Sequence, residues 1–277
     1  MNEGGTAPLV NYHEFKNWIL FEDSELLVLD KPGWLVCHPS KNGPWSSLVG
    51  VAKEYLKVNS VHLVSRLDRE TSGVVILAKH KKAASIWQKG VETRKVKRSY
   101  LAILNGDLIQ ETNVITFLGK DPNSEVFVKQ RVTEESRKAQ RAETRFIPLG
   151  NHNKHTFALV KTETGRKHQI RVHAKHLGFF IVGDKLYGPD ELYYLKFVEK
   201  GWDNDWKDSL GMSRQSLHGW SVDFDNLQKQ FKAPVPNDML DYLVHEVGWK
   251  SSEIDTMVSA AMKKLSCRQL EESIINS

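Results

Sequence analysis

The chain has 277 residues, 40% of them hydrophobic and 26% charged, with a net charge of +5. This is the composition of a soluble globular protein with a sizeable core, and its mild basic excess suits a polyanionic partner. Cys37 and Cys267 give neither a disulfide framework nor a metal pattern and fit a reducing, cytoplasmic setting, residues 1–14 lack the basic-then-apolar pattern of a leader, and no run approaches the ~18 apolar residues of a membrane span.

In chain order, residues 1–14 read as a flexible tail. The apolar run 25–29 is broken by Pro32-Gly33 and resumes as a strand at 34–37. Ser46 or Ser47 can cap a helix running to about Leu56. Residues 61–64 are extended, 65–73 form a polar loop, and the β-branched run 74–78 is a buried strand. In 81–95, Ala83, Ala84, Ile86, Trp87 and Val91 fall at helical spacing. Eight Lys or Arg against one acid between residues 79 and 98 make a steep charge run, of the kind that usually forms a solvated helix face.

The strand 97–104 sets Tyr100, Ala102 and Leu104 on one face. A second basic, strand-rich stretch covers 129–145, and another strand covers 157–161. Gly165 opens a turn into a helix over 168–177 that Gly178 terminates. Residues 179–182 are apolar, 183–188 form a loop, 191–200 a helix ended by Gly201, and 217–224 a final strand. Residues 237–277 carry seven acids against four Lys or Arg and look helical. The expected class is α+β, a mixed and mostly antiparallel sheet flanked by helices around a basic cleft. The expected organisation is the tail 1–14, one domain over 15–238 and a helical C-terminal extension over 239–277.

Three segments concentrate polar groups between apolar elements: 65–73, 165–173 and 183–188. Asp68 lies between Arg66 and Arg69. Its bland reading is a turn or cap residue, but a carboxylate among fixed cations also stays ionised when partly desolvated, as a nucleophile or base must. On a helix from His168, Arg171 shares a face with His168 and Lys175. Arg171 then either lies on a basic surface or holds an anion, phosphate or the Asp68 carboxylate, with bidentate geometry. His168, His173 and His176 invite a metal reading, yet 168 points about 140° away from 173 on a helix. No carboxylate or cysteine stands nearby at ligand spacing, so no metal is expected. No phosphate loop, nucleophile elbow or redox motif is present, so an enzyme here would run on a carboxylate without a cofactor.

Together these segments resemble the RluA family of RNA pseudouridine synthases. The family's His-Arg-Leu-Asp followed by Thr-Ser-Gly reads here Ser65-Arg66-Leu67-Asp68-Arg69-Glu70-Thr71-Ser72-Gly73, and its Gly-Arg-Thr-His-Gln-Ile-Arg reads Gly165-Arg166-Lys167-His168-Gln169-Ile170-Arg171. Arg98-Ser99-Tyr100 looks like the family's Lys-x-Tyr strand, and Gly183-Asp184-x-x-Tyr187-Gly188, Leu217-His218 and Ala233-Pro234-x-Pro236 also match. The resemblance spans about residues 18–238. Ser65 stands for the family's His, Lys167 for a Thr, and Lys31-Pro32-Gly33-Trp34 for Lys-Pro-x-Gly-Leu.

The resemblance implies isomerisation of uridine to its carbon-linked isomer in structured RNA, tRNA or ribosomal RNA, with no cofactor. It makes Asp68 the essential carboxylate. Tyr100 would lie on the uracil face, Arg171 would pair with Asp68, and Leu217 would form an apolar wall, although a cleft-wall tyrosine and a core leucine are equally ordinary readings. A stacked uridine must be flipped out at a cost of a few kcal/mol. Arg66 is placed to fill the vacated space with its flat guanidinium, and the basic stretches 79–98 and 129–145 would hold phosphates. The resemblance also implies a cytoplasmic monomer with no DNA or membrane partner and no separate N-terminal RNA-binding module. The alternatives are an inactive RNA-binding protein on the same fold and a carboxylate glycosidase using Asp68 and Asp184, in which the basic surface would have no role.

Overall fold

In the computed structural model the described residues are 8–39, 42–93, 96–224 and 227–275, with side chains described as far as 265. Twelve strands among them form one sheet. The chain runs α1 (Tyr12–Asn17), β1 (Ile19–Glu22), β2 (Leu26–Lys31), α2 (Leu48–Leu56), β3 (His62–Leu63), β4 (Ser72–Ala78), α3 (Lys81–Glu92) and β5 (Val96–Asn105). It continues through β6 (Thr112–Lys120), β7 (Gln130–Thr133), β8 (Gln140–His152), β9 (His155–Thr162), α4 (Gln169–His176), β10 (Phe180–Ile181), α5 (Leu192–Lys200) and α6 (Lys207–Leu210). It ends with β11 (Leu217–Phe224), β12 (Lys229–Lys232), α7 (Asn237–Tyr242) and α8 (Ser251–Ile275).

The sheet order is β1-β2-β4-β11-β5-β9-β8-β6-β7, with β3, β10 and β12 attached to β4, β5 and β11. Pairing is antiparallel except between β4 and β11, which run parallel. The mixed, largely antiparallel α+β sheet is therefore as the sequence led us to expect. β4 is apolar at consecutive positions because both its faces are covered. Val74 and Ile76 pack with Trp87 and Phe224, while Val75 and Leu77 pack with Phe15 and Leu48. β5 is sandwiched in the same way. Tyr100, Ala102 and Leu104 face Ile170 and Ala174 of α4, while Leu101 and Ile103 face Met239, Leu243 and Ile254. The period-2 alternation of β5 thus puts Tyr100 on the side of the sheet that α4 covers.

Several local expectations come out differently. Residues 34–37 make only an isolated bridge, Val36 with Ser47, because the Lys31 ammonium curls the chain by binding both Pro32 O and Leu35 O at 2.8 Å. β6 was not anticipated, since its apolar positions are unevenly buried and Ile115 is exposed. Residues 1–7 of the segment expected as a flexible tail lie outside the described set, but within it Val10 is buried and α1 begins at Tyr12, with Phe15 buried just beyond. Met239, Leu243, Val247, Ile254 and Ala261 share one apolar cluster with β5, β8 and β9. No helix among the described residues is long and apolar enough to cross a membrane.

Helix α4 contains a titratable group that ties stability to pH. His173 is fully buried, its Nε2 meets Thr116 Oγ1 at 2.9 Å, and burial, aided by His176, lowers its pKa to about 4. Between that value and the ~6.5 of an unfolded histidine the unfolded chain binds the extra proton, so stability falls as pH drops through this window. The loss reaches about 3 kcal/mol for this one group below the window. Urea unfolding from pH 7 to 4 should show a shallower slope for His173→Gln than for wild type, and equal slopes would contradict the assignment.

Candidate active site

Asp68 sits in the loop between β3 and β4, and buried cations hold that loop from behind. Lys31, with no solvent exposure, donates to Arg69 O at 2.9 Å, and Arg214 donates to Glu70 O at 3.3 Å. Lys185, 1% exposed, grips the Glu70 carboxylate at 2.8 and 3.0 Å. Burial lowers the Lys31 pKa to about 8, so these three carbonyl contacts hold an ammonium that has been stripped of water. Such a loop cannot relax without leaving a buried charge unsatisfied. At its end, Gly73 (φ +112°) lies against Gly219 of β11, and a Cβ there would collide with Gly219 O.

α4 brings Arg171 up to this loop. Its Nη1 reaches Asp68 Oδ2 at 3.0 Å, while its Nε and Nη2 hold both oxygens of Asp184 at 2.7 and 2.8 Å. The bidentate partner of Arg171 is therefore Asp184, and Asp68 receives one hydrogen bond. Asp184 is fully buried and also accepts from the backbone N–H groups of Leu186 and Tyr187. With every oxygen committed it is a structural anion, which removes the second carboxylate a glycosidase would need. Burial by itself would raise the Asp68 carboxyl, but the charge of Arg171, the field of His168 and the Arg171 hydrogen bond outweigh it and hold the group below the usual carboxylate range. Arg171 keeps its proton because Asp184 outweighs its own burial. The Asp68 side chain remains 32% exposed, so the ionised carboxylate faces the cleft.

His168 does not begin the α4 helix. It precedes it in the left-handed region, φ 55°, and this turns the imidazole away from Lys175 and toward Tyr187. Tyr187 Oη accepts from the Gln130 N–H at 2.8 Å and lies 2.8 Å from His168 Nδ1. Burial raises the Tyr187 pKa and lowers that of His168 to about 4. The hydroxyl therefore keeps its proton and donates it to Nδ1, which leaves the Nε2–H, 3.9 Å from Asp68 Oδ2, facing the carboxylate. His173 instead meets Thr116, so the histidines of this segment point to different partners.

A cleft of about 680 Å³ opens over this floor, lined by Arg66, Asp68, Tyr100, His168, Arg171 and Leu217 among others. All five residues singled out from the sequence thus come to one place. Tyr100 is half-buried, and its hydroxyl pKa is raised mainly by burial. Leu217 is 4% exposed and packs with Ala102 and Ile170 beside the cleft, so it belongs to both wall and core. Arg66 is exposed, with Nη1 3.3 Å from His38 Nε2. The basic stretch 129–145 is less free than its composition suggested, because Lys129 pairs with Glu191, Arg141 with Glu143 and Arg145 with Glu111. Sequence reasoning gives no role to Tyr187, Lys31, Lys185 or Arg214, and brings in Asp184 only as the second carboxylate of the glycosidase alternative, whereas the structure makes it the partner of Arg171. The 183–188 motif was the available signal for Asp184 and Tyr187, whereas an isolated lysine or arginine in the sequence carries no sign of being buried.

Residues 25–176 match the RNA pseudouridylate synthase family. The Bacillus subtilis protein named uncharacterized RNA pseudouridine synthase YjbO is 34% identical over 230 residues, which is 80% of this chain and 73% of that protein. A ribosomal large subunit pseudouridine synthase D from Xanthomonas campestris is 33% identical over 229 residues, covering 80% of this chain and 66% of its own length. Among solved structures, human RNA pseudouridylate synthase domain containing 4 superposes with a TM-score of 0.65 at 25% identity, over 84% of this chain and 94% of that one. With the family's motifs converging on one cleft of the family's fold, the chain belongs to the RluA family of RNA pseudouridine synthases and is an isomerase acting on uridine in RNA.

Proposed function

We propose that this enzyme isomerises uridines of structured RNA, ribosomal RNA before tRNA, by flipping each target base into the cleft beneath which Asp68 lies. The observation that carries the reading is the ionised, partly exposed Asp68 carboxylate, oriented by a buried arginine that is itself locked by Asp184. The preference for ribosomal RNA rests on the relative named as a ribosomal large subunit synthase. In this reading Asp68 is the catalytic carboxylate, Tyr100 lies on the uracil face, Arg171 holds Asp68 charged and in register, and Leu217 supports the apolar wall. The enzyme acts as a cytoplasmic monomer without a cofactor. Mapping pseudouridine across total RNA from cells lacking the gene, then restoring wild type or Asp68→Asn, tests it. Sites that vanish on deletion should return with wild type alone, and an unchanged map would overturn the assignment.

Arg66 is the base-flipping residue in this proposal. It is exposed at the cleft mouth two residues before Asp68, free to occupy the gap left by the flipped uridine. Unstacking costs a few kcal/mol only when the base starts out stacked. Arg66→Ala is therefore expected to slow a folded stem-loop roughly ten- to a hundredfold while slowing a short unstructured oligonucleotide much less. Equal losses on both RNAs, with an unchanged melting temperature, would identify a phosphate contact instead.

A further inference from the structure

The cleft holds a second arginine that the Asp68 network does not use. Arg98 lies on β5 two residues before Tyr100, on the same face of the strand and roughly 7 Å along it. Among the described residues its side chain forms no ion pair and no hydrogen bond, and its Nε is buried with no partner. Every other buried cation around the site is neutralised or fully hydrogen-bonded: Arg171 by Asp68 and Asp184, Lys185 by Glu70, Arg214 by Asp238, and Lys31 by three carbonyls. A half-buried guanidinium without a counter-charge costs stability unless a ligand supplies one.

Gly165 leaves room for Arg98, whose Nη1 occupies the space over Gly165 that a side chain would fill, so a Cβ at 165 would displace the guanidinium. Gly165 opens the turn that leads into α4, and Arg166 and Lys167, which follow it, also line the cleft. Arg98 thus forms a cationic point in the same cleft as Tyr100 and Asp68.

We propose that Arg98, seated on Gly165, binds an RNA backbone phosphate flanking the flipped uridine and thereby sets the register of the nucleotide over Asp68. This rests on RNA being the substrate, and its readout is binding, independent of turnover. Arg98 is a positioning residue: it anchors the strand and does not touch the reacting ring.

The test uses full-length protein and a fluorescent ten-nucleotide oligouridylate, with Kd measured from 50 to 300 mM KCl. A contact to one phosphate contributes about 0.7 to the slope of log Kd against log salt on single strands. Arg98→Ala should lose that increment and weaken binding about tenfold at low salt, whereas Arg98→Lys should retain the slope. Gly165→Ala, which leaves the arginine in place but denies it its seat, should reproduce the loss. A second probe, a ten-unit abasic oligonucleotide, should show the same change in slope, because it keeps the phosphates and lacks the base. If Arg98→Ala weakens oligouridylate binding with no change in slope and leaves abasic binding untouched, Arg98 reads the base and the proposal fails. A lowered melting temperature with an unchanged slope would make Arg98 a structural residue. Absence of salt-dependent oligouridylate binding by the wild type would also overturn it.

Discussion

Asp68→Asn is expected to abolish pseudouridine formation while leaving RNA binding and the melting temperature close to wild type. The substitution keeps the shape and can still accept the single hydrogen bond from Arg171 Nη1, so the loop need not move. What it removes is the charge, which Arg171, 8% exposed at its side chain, favours against the burial of the carboxyl. A loss of at least ~10³-fold in single-turnover rate, about 4 kcal/mol of barrier, is the expected scale for removing the reacting group. Product above background from Asp68→Asn, with deamidation back to Asp excluded by mass spectrometry, would sink the Asp-dependent mechanism.

The second large effect concerns Arg171 and Asp184, which act as a unit. Arg171→Met removes the counter-charge from two carboxylates at once and leaves Asp184 buried with only backbone donors. Breaking one side of a buried pair costs roughly 3–5 kcal/mol, so this variant should lose much of its stability. Arg171→Lys keeps the charge but cannot make the two parallel bonds to Asp184 while also reaching Asp68. It should fold, at a cost, and lose most of its turnover. The pH profile separates orientation from charge. In wild type the Asp68 carboxyl titrates below the usual carboxylate range, so the rate should stay flat on the acid side down to that range. Once the Arg171 hydrogen bond weakens, burial dominates and the acid limb should move to higher pH. Wild-type turnover and an unmoved acid limb in Arg171→Lys would show that Arg171 does not hold Asp68.

The same pairing sets a direction for acid stability. Asp68 and Asp184 both titrate below their unfolded values, so each contributes stability that is present above the unfolded carboxylate pKa and is lost as pH falls through the folded one. This loss lies at more acidic pH than the histidine window of His173.

Much of this protein could be read from the chain itself. The apolar periodicities of β4, α3 and β5 are local, and burial on both faces of β4 leaves a continuous β-branched run that no helix needs. Asp68 between two arginines and Arg171 on α4 were legible as cleft residues because each lies in a dense polar segment between apolar elements, and Tyr100 because the alternation of β5 sets its face. Tertiary structure alone decided how those residues are wired. The bidentate bond of Arg171 goes to Asp184, thirteen residues further along the chain, and not to Asp68, because the buried 183–188 turn brings the Asp184 carboxylate alongside α4. His168 leaves the helix through a left-handed residue, a backbone choice that the pattern of side chains does not encode. Lys31, Lys185 and Arg214 look like surface cations in sequence and become buried clamps because carbonyls and carboxylates from distant segments converge on them. Local pattern selects elements through short-range packing and dihedral preference, whereas charge pairing in a core depends on which distant groups the closed sheet brings within 3 Å of one another.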